Sequence, residues 1–174
     1  VCALFATCSE DKSVLLYEII TTPAIIKYHF KDHTRAVSVI AFHPRFLIMA
    51  SGSRDSSVFV YDISILPPIL KHQLYDHTRP IYCAVFHSNL PLLATGSTYG
   101  ATMLYDISAL SSSFTPSLTS SIPSVPFTIL PILSTSPSRK IPQIMYSFGY
   151  DQKIIPSVVF HENLQLLATS SVDC

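Results

Sequence analysis

Short apolar runs, each closed by a polar or proline-containing break, set the rhythm of this chain. Residues 4–8, 13–18 and 25–30 are rich in Leu, Val, Ile, Tyr and Phe, which favour a pleated, half-buried surface, and they predict three strands. Glu10, Asp11 and Lys12 form a tight turn between the first two, and Pro23 punctuates the next gap. The polar connector Asp32-His33-Thr34-Arg35 leads into residues 37–42, a continuous apolar run typical of a strand covered on both faces. His43-Pro44 ends it. Strands are then predicted over 46–53, 57–61 and 69–75, with a turn at Arg54-Asp55-Ser56 and a break at Pro67-Pro68.

The pattern repeats. DHTRAVSVIAFHPRFLIMASGSRDSSVFVYDI, residues 32–63, aligns without a gap on DHTRPIYCAVFHSNLPLLATGSTYGATMLYDI, residues 76–107, with 12 of 32 positions identical. The 44-residue step also carries Tyr17 to Tyr61 and Tyr61 to Tyr105, a period suited to a four-stranded propeller blade. Residues 4–19 match the back half of the repeat and 154–174 the front half. The expected organisation is the end of a blade at 1–31, a complete repeat at 32–75, a repeat at 76–107, a Ser/Thr/Pro-rich insert or loop at 108–150, and the start of a further blade at 151–174. Phe86 and Phe160 stand 74 residues apart rather than 44, so about 30 residues have been added after Ile107. A gene-model artefact is a competing explanation of that insert. Within it, Ser136 before Pro137 has the form of a proline-directed phosphorylation site. Val1 at the start, and Cys174 falling where a turn should lead into another strand, give the expectation of a fragment, about three blades of a propeller.

Composition narrows the function. With 11 basic and 11 acidic side chains the formal charge is zero, so nothing gathers phosphates by counterion release, and direct nucleic-acid binding is not expected. The apolar run 122–133 is too short for a membrane span and is broken by Pro126 and Pro131. Cys2, Cys8, Cys83 and Cys174 show no zinc spacing, and no metal or cofactor is expected.

His33, Ser51 and Asp55 superficially suggest a hydrolase with Ser51 as nucleophile and His33 as base. The set recurs, however, as Thr7, Asp11 and Tyr17 in one copy and His77, Thr95 and Tyr105 in another, whereas an active site is normally built once. No G-x-S-x-G elbow surrounds Ser51. The expectation is therefore a non-catalytic protein. Repeat-equivalent histidines lie a blade apart, too far for one metal ion.

The order D-H, F-H-P, A-S-G-S-R-D and Y-D resembles the WD-repeat signature, with Tyr for Trp and Asp-His for Gly-His. That resemblance implies an all-β, partial WD-repeat β-propeller, about three of seven four-stranded blades. It also implies that His33, Ser51, Asp55 and Tyr61 form a hydrogen-bonded network fixing strand register. Tyr99 replaces the acid in the next blade. In the blade after that, Asp151-Gln152-Lys153 lacks the histidine, although Thr169 and Asp173 persist.

More closely, AFHPRFLIMASGSRDSSVFVYDI and MLYDI resemble the family of WD-repeat subunits of the cleavage stimulation factor. This implies a nuclear scaffold in pre-mRNA 3′-end cleavage and polyadenylation that joins other subunits of that complex and further processing factors. A WD-repeat adaptor of a ubiquitin ligase or signalling complex is the alternative. Candidate partner-binding residues are Arg35, Arg54 and Arg79, expected to form a basic crescent for an acidic or phosphorylated segment.

Overall fold

The computed structural model describes residues 3–20, 23–98, 101–108, 143–149, 154–161 and 166–171. Thirteen strands fall there: β1 (Leu4–Cys8), β2 (Val14–Glu18), β3 (Ile25–Phe30), β4 (Val37–Phe42), β5 (Ile48–Ser53), β6 (Val58–Asp62), β7 (Ile69–Leu74), β8 (Ile81–Phe86), β9 (Leu92–Ser97), β10 (Ala101–Asp106), β11 (Gln143–Gly149), β12 (Ser157–Phe160) and β13 (Leu167–Ser170). They form antiparallel sheets ordered β1-β2-β3, β4-β5-β6-β7, β8-β9-β10-β11 and β12-β13. This is the arrangement of a partial β-propeller in which each full blade is a four-stranded meander.

The hairpins explain themselves locally. Ser56 N–H donates to Ser53 O at 3.2 Å, and Ser56 takes φ 72°. This is the left-handed residue that closes a three-residue hairpin loop. Lys12, one repeat earlier, has φ 77° and donates to Ser9 O at 3.3 Å.

Alternation then decides what each sheet face covers. Phe59 and Tyr61 pack with Val14, Leu16 and Met49, joining the first and second sheets. Val58 and Val60 pack with Ile81, Phe86, Leu93 and Tyr105, joining the second and third. Cys83, Ala94 and Leu104 meet Val158 of the last sheet and Ile155 just before it. Sheet-to-sheet bonds pin the first strands: Ser38 Oγ donates to Ile81 O, and Cys83 Sγ, one sheet on, donates to Ile155 O at 3.4 Å.

Two expectations change. The 108–150 stretch is not insert or loop throughout, because β11 pairs with β10 from Ala101↔Gly149 to Asp106↔Gln143. The third sheet takes its outer strand only after the added residues, and β11 starts 74 residues after β7 rather than 44. The strand expected over 46–53 starts at Ile48 because Arg45 and Phe46 belong to a turn, where their N–H groups donate to His43 Nδ1 at 3.1 and 3.3 Å. Residues 109–142, including Ser136, and Cys2, Tyr99, Asp151, Gln152, Lys153, Asp173 and Cys174 lie outside the described residues.

Candidate functional site on the connector face

Because strands alternate in direction, the loops at 31–36, 54–57 and 75–80 emerge at one end of the sheets, the connector face. Those at 43–47, 63–68 and 87–91 emerge at the other. His33 enters the second sheet from the connector. Its Nε2 lies 2.8 Å from Ser51 Oγ on β5, and its Nδ1 lies 3.1 Å from Asp55 Oδ2 and 3.1 Å from Ser57 Oγ. The ring stacks on Phe59 with centroids 4.3 Å apart. Asp55 also accepts from Thr34 N–H at 2.8 Å, from Ser57 N–H at 2.9 Å and from Ser57 Oγ.

A carboxylate can only accept, so it fixes the proton on Nδ1 and leaves Nε2 to accept from the Ser51 hydroxyl. Burial lowers the His33 pKa, partly offset by Asp55 and Asp32, so the imidazole is neutral. Burial would raise Asp55, but hydrogen bonds from Ser57 and Thr34 and the nearby His33 hold it at about 2. Ser51 is wholly buried, so no substrate carbonyl can reach its oxygen in this structure, and the geometry gives the hydrolase reading no support.

Tyr61 joins the network through a further acid. Its hydroxyl donates to Asp32 Oδ2 at 3.1 Å, with Ser51 beside it. Burial and then Asp32 raise its pKa, and Tyr105 is raised in the same way by burial and Asp76. Asp32 and Asp76 were not among the sequence candidates for this network, although their 44-residue recurrence with Tyr61 and Tyr105 was the available signal. His43 and His87 were missed as turn anchors: His87 Nδ1 accepts from Asn89 and Leu90 N–H at 3.0 and 2.9 Å.

The copies differ. In the third blade His77 Nε2 lies 2.7 Å from Thr95 Oγ1, and Tyr105 OH donates to Met103 Sδ at 3.3 Å. In the first, Asp11 is exposed and binds locally, accepting from Ser13 N–H at 2.9 Å and Ser13 Oγ at 2.6 Å. Thr7 and Tyr17 are partly buried, and among the described residues no side-chain hydrogen bond joins either to Asp11. Arg35, Arg54 and Arg79 all lie exposed on connector-face loops. They stand among Glu10, Asp11, Asp32 and Asp76, and Arg54 Nη1 is 3.8 Å from Glu10 Oε1. The loops of this face thus carry acidic side chains beside the three arginines of the expected basic crescent.

Buried neutral histidines set a pH dependence. His43 is held at about 4 by burial and then by Arg45 and His87, and His77 at about 4 by burial. The unfolded chain takes up these protons from about pH 6.5. Between about pH 6.5 and 4 the unfolded state therefore binds more protons, and stability is lost as pH falls through that window. Asp55, depressed from 3.8 to about 2, adds a further loss below that. The thermal midpoint should be level near pH 7–8 and drop steadily toward pH 4. A midpoint unchanged down to pH 4 would contradict the burial of these imidazoles.

Residues 25–62 and 69–106 each match the family model of the WD domain, G-beta repeat. Each match runs from the outer strand of one sheet through the first three of the next: β3 to β6, then β7 to β10. Together with the four-stranded sheets these matches show that the chain carries WD repeats over those residues, a kind of repeat that generally serves protein interaction. No curated protein matches the chain.

Proposed function

We propose that the chain is part of a non-catalytic scaffold subunit of nuclear pre-mRNA 3′-end cleavage and polyadenylation, docking other subunits of the cleavage stimulation complex and further processing factors. The observation that carries this reading is a pairing of neighbouring repeats. A complete S-G-S-R-D turn at residues 51–55 is followed by a blade without the acid that ends L-Y-D-I at residues 104–107, the combination that resembles that family. The balanced charge agrees with RNA contact being left to other subunits.

Rigid sheets holding short loops suit protein docking, and we place the docking surface on the connector face, with Arg35, Arg54 and Arg79 as contacts for partner carboxylates. The His33, Ser51, Asp55 and Tyr61 network, with its counterparts in the other blades, has the structural role of holding those loops.

The test is affinity capture of cleavage-factor subunits from nuclear extract by the tagged chain. Capture is expected, and Arg35→Ala, Arg54→Ala and Arg79→Ala together should weaken it roughly tenfold through lost charge-assisted contacts. Failure to capture any cleavage-factor subunit would overturn the reading in favour of an adaptor in a ubiquitin ligase or signalling assembly. Equal capture by the triple variant would remove the arginines from the docking surface.

A further inference from the structure

The end of the second sheet opposite the connectors is apolar. β4 finishes there at Phe42, Leu47 lies in the turn to β5, Ile65 and Leu66 lie in the loop from β6, and Ile69 starts β7. These five residues are between 37% and 55% exposed. They share one rim because the ladder pairs Ile48 with Asp62 and Asp62 with Ile69, and Ile63 N–H donates to Leu47 O at 2.9 Å. The sheet is covered on both faces by its neighbours, so the exposure belongs to the rim itself. Arg45, two residues before Leu47, is exposed as well, and among the described residues no acidic side chain pairs with it.

The blade does not require this pattern. At the positions of Leu47, Ile65 and Leu66 the preceding repeat has Ala3, Thr21 and Thr22, and at the position of Arg45 the following one has Asn89. Phe42 is matched by Phe86, which is buried. Residues that lock the strands recur with the blade, whereas this combination occurs once. Contiguous exposed apolar surface rimmed by polar groups marks an interaction site.

We propose that this rim docks a short amphipathic helix of a protein partner, with an Asp or Glu on its apolar side to pair with Arg45. Four strands about 4.8 Å apart make the row about 15 Å long, the length of a helix of about ten residues. A helix suits the rim better than an added strand, because backbone groups of the rim turns already bond one another: His43 N–H to Ile48 O and Ile63 N–H to Leu47 O, each at 2.9 Å. Recognition therefore falls to side chains, and a helix satisfies its own backbone while presenting an apolar stripe. The acid completes the match, since Arg45 gains a charge-assisted contact that strengthens as apolar side chains exclude water from the rim. This surface is separate from the connector-face arginines and stands whether or not the cleavage complex is the partner.

The experiment is selection, on the whole chain, from a displayed library of helix-forming peptides of about 20 residues, long enough to hold a helix in water. The selected pool is depleted on the variant Leu47→Ala, Ile65→Thr, Leu66→Thr, which gives the second blade the residues of the first and should keep its thermal midpoint. Enriched peptides should carry an acid within an apolar stripe of helical spacing. Arg45→Glu should weaken their binding about tenfold, and exchanging the peptide's acid for Lys should restore binding to that variant. No enriched peptide, enriched peptides without an acid, or binding indifferent to Arg45→Glu would overturn the proposal. So would a dimer in sedimentation that the depletion variant dissolves, which gives the rim to a second copy, or flotation on phosphatidylcholine vesicles that it abolishes, which gives the rim to a membrane. The charge exchange decides the matter even if the depletion variant does not fold. Arg35→Ala, Arg54→Ala and Arg79→Ala together should leave peptide binding unchanged, so this result and the capture of cleavage-factor subunits fail independently.

Discussion

Asp55→Ala should lower the stability of the chain by about 3 kcal/mol, because it strands several buried donors at once rather than removing one contact. Thr34 N–H and Ser57 N–H lose their acceptor, and His33 Nδ1 keeps only Ser57 Oγ. Water can reach Thr34, which is exposed, but not His33 or Ser57. Asp55→Asn keeps one acceptor oxygen and should lose about half as much. His33→Ala added to Asp55→Ala should cost much less than the sum of the two, since the first change has already broken the shared network. Urea unfolding of the four proteins gives the coupling. Additive losses, or a loss below about 1 kcal/mol for Asp55→Ala, would show that the network contributes little.

Gly96→Ala should be nearly as damaging, about 2–3 kcal/mol, for a steric reason. A Cβ on Gly96 would lie 2.5 Å from Cys83 Sγ and 3.0 Å from Ile155 Cγ2, and one on Gly52 would lie 2.7 Å from Ile81 Cγ2 and 2.8 Å from Val39 Cγ1. Each glycine is paired across the ladder with one of the residues it would meet, Val39↔Gly52 and Cys83↔Gly96, and faces Ile81 or Ile155 of the following repeat. Cys83→Ala removes the sulfur and should recover most of the loss in the Gly96→Ala background, although alone it should cost about 1 kcal/mol through its lost packing and hydrogen bond. Thermal or urea unfolding of this pair measures the coupling. If Cys83→Ala does not rescue Gly96→Ala, crowding by the paired Cys83 side chain is not the reason for glycine.

The strands were legible because two local signals coincide at each of them: β-branched and aromatic runs, and turns with residues suited to left-handed φ, such as Ser56. The 44-residue period added the sheet, since four such runs fit in one step. What stayed hidden was long-range. β11 left no periodic trace because the added residues displaced it from its partner in sequence. The contact between Tyr61 and Asp32 spans 29 residues, and nothing in a connector Asp tells which hydroxyl it will meet. At the candidate site, the recurrence picked out His33, Ser51, Asp55 and Tyr61 as residue types. That Tyr61 bonds Asp32, that Ser57 shares His33 Nδ1, and that His77 is left with one engaged nitrogen are distances, and only the fold supplies them.

The offset between repeat and sheet, β3 with β4 to β6 and β7 with β8 to β10, has a mechanical meaning. The chain passes from the first sheet to the second through residues 31–36, and from the second to the third through 75–80, both on the same face. These connectors act as covalent hinges along one rim. A ligand seated across them would grip three sheets where they are tethered, limiting how far the sheets can splay at the opposite rim. Binding there would stiffen the tethered sheets, so a partner could be detected by slowed amide exchange in strand ends far from where it touches.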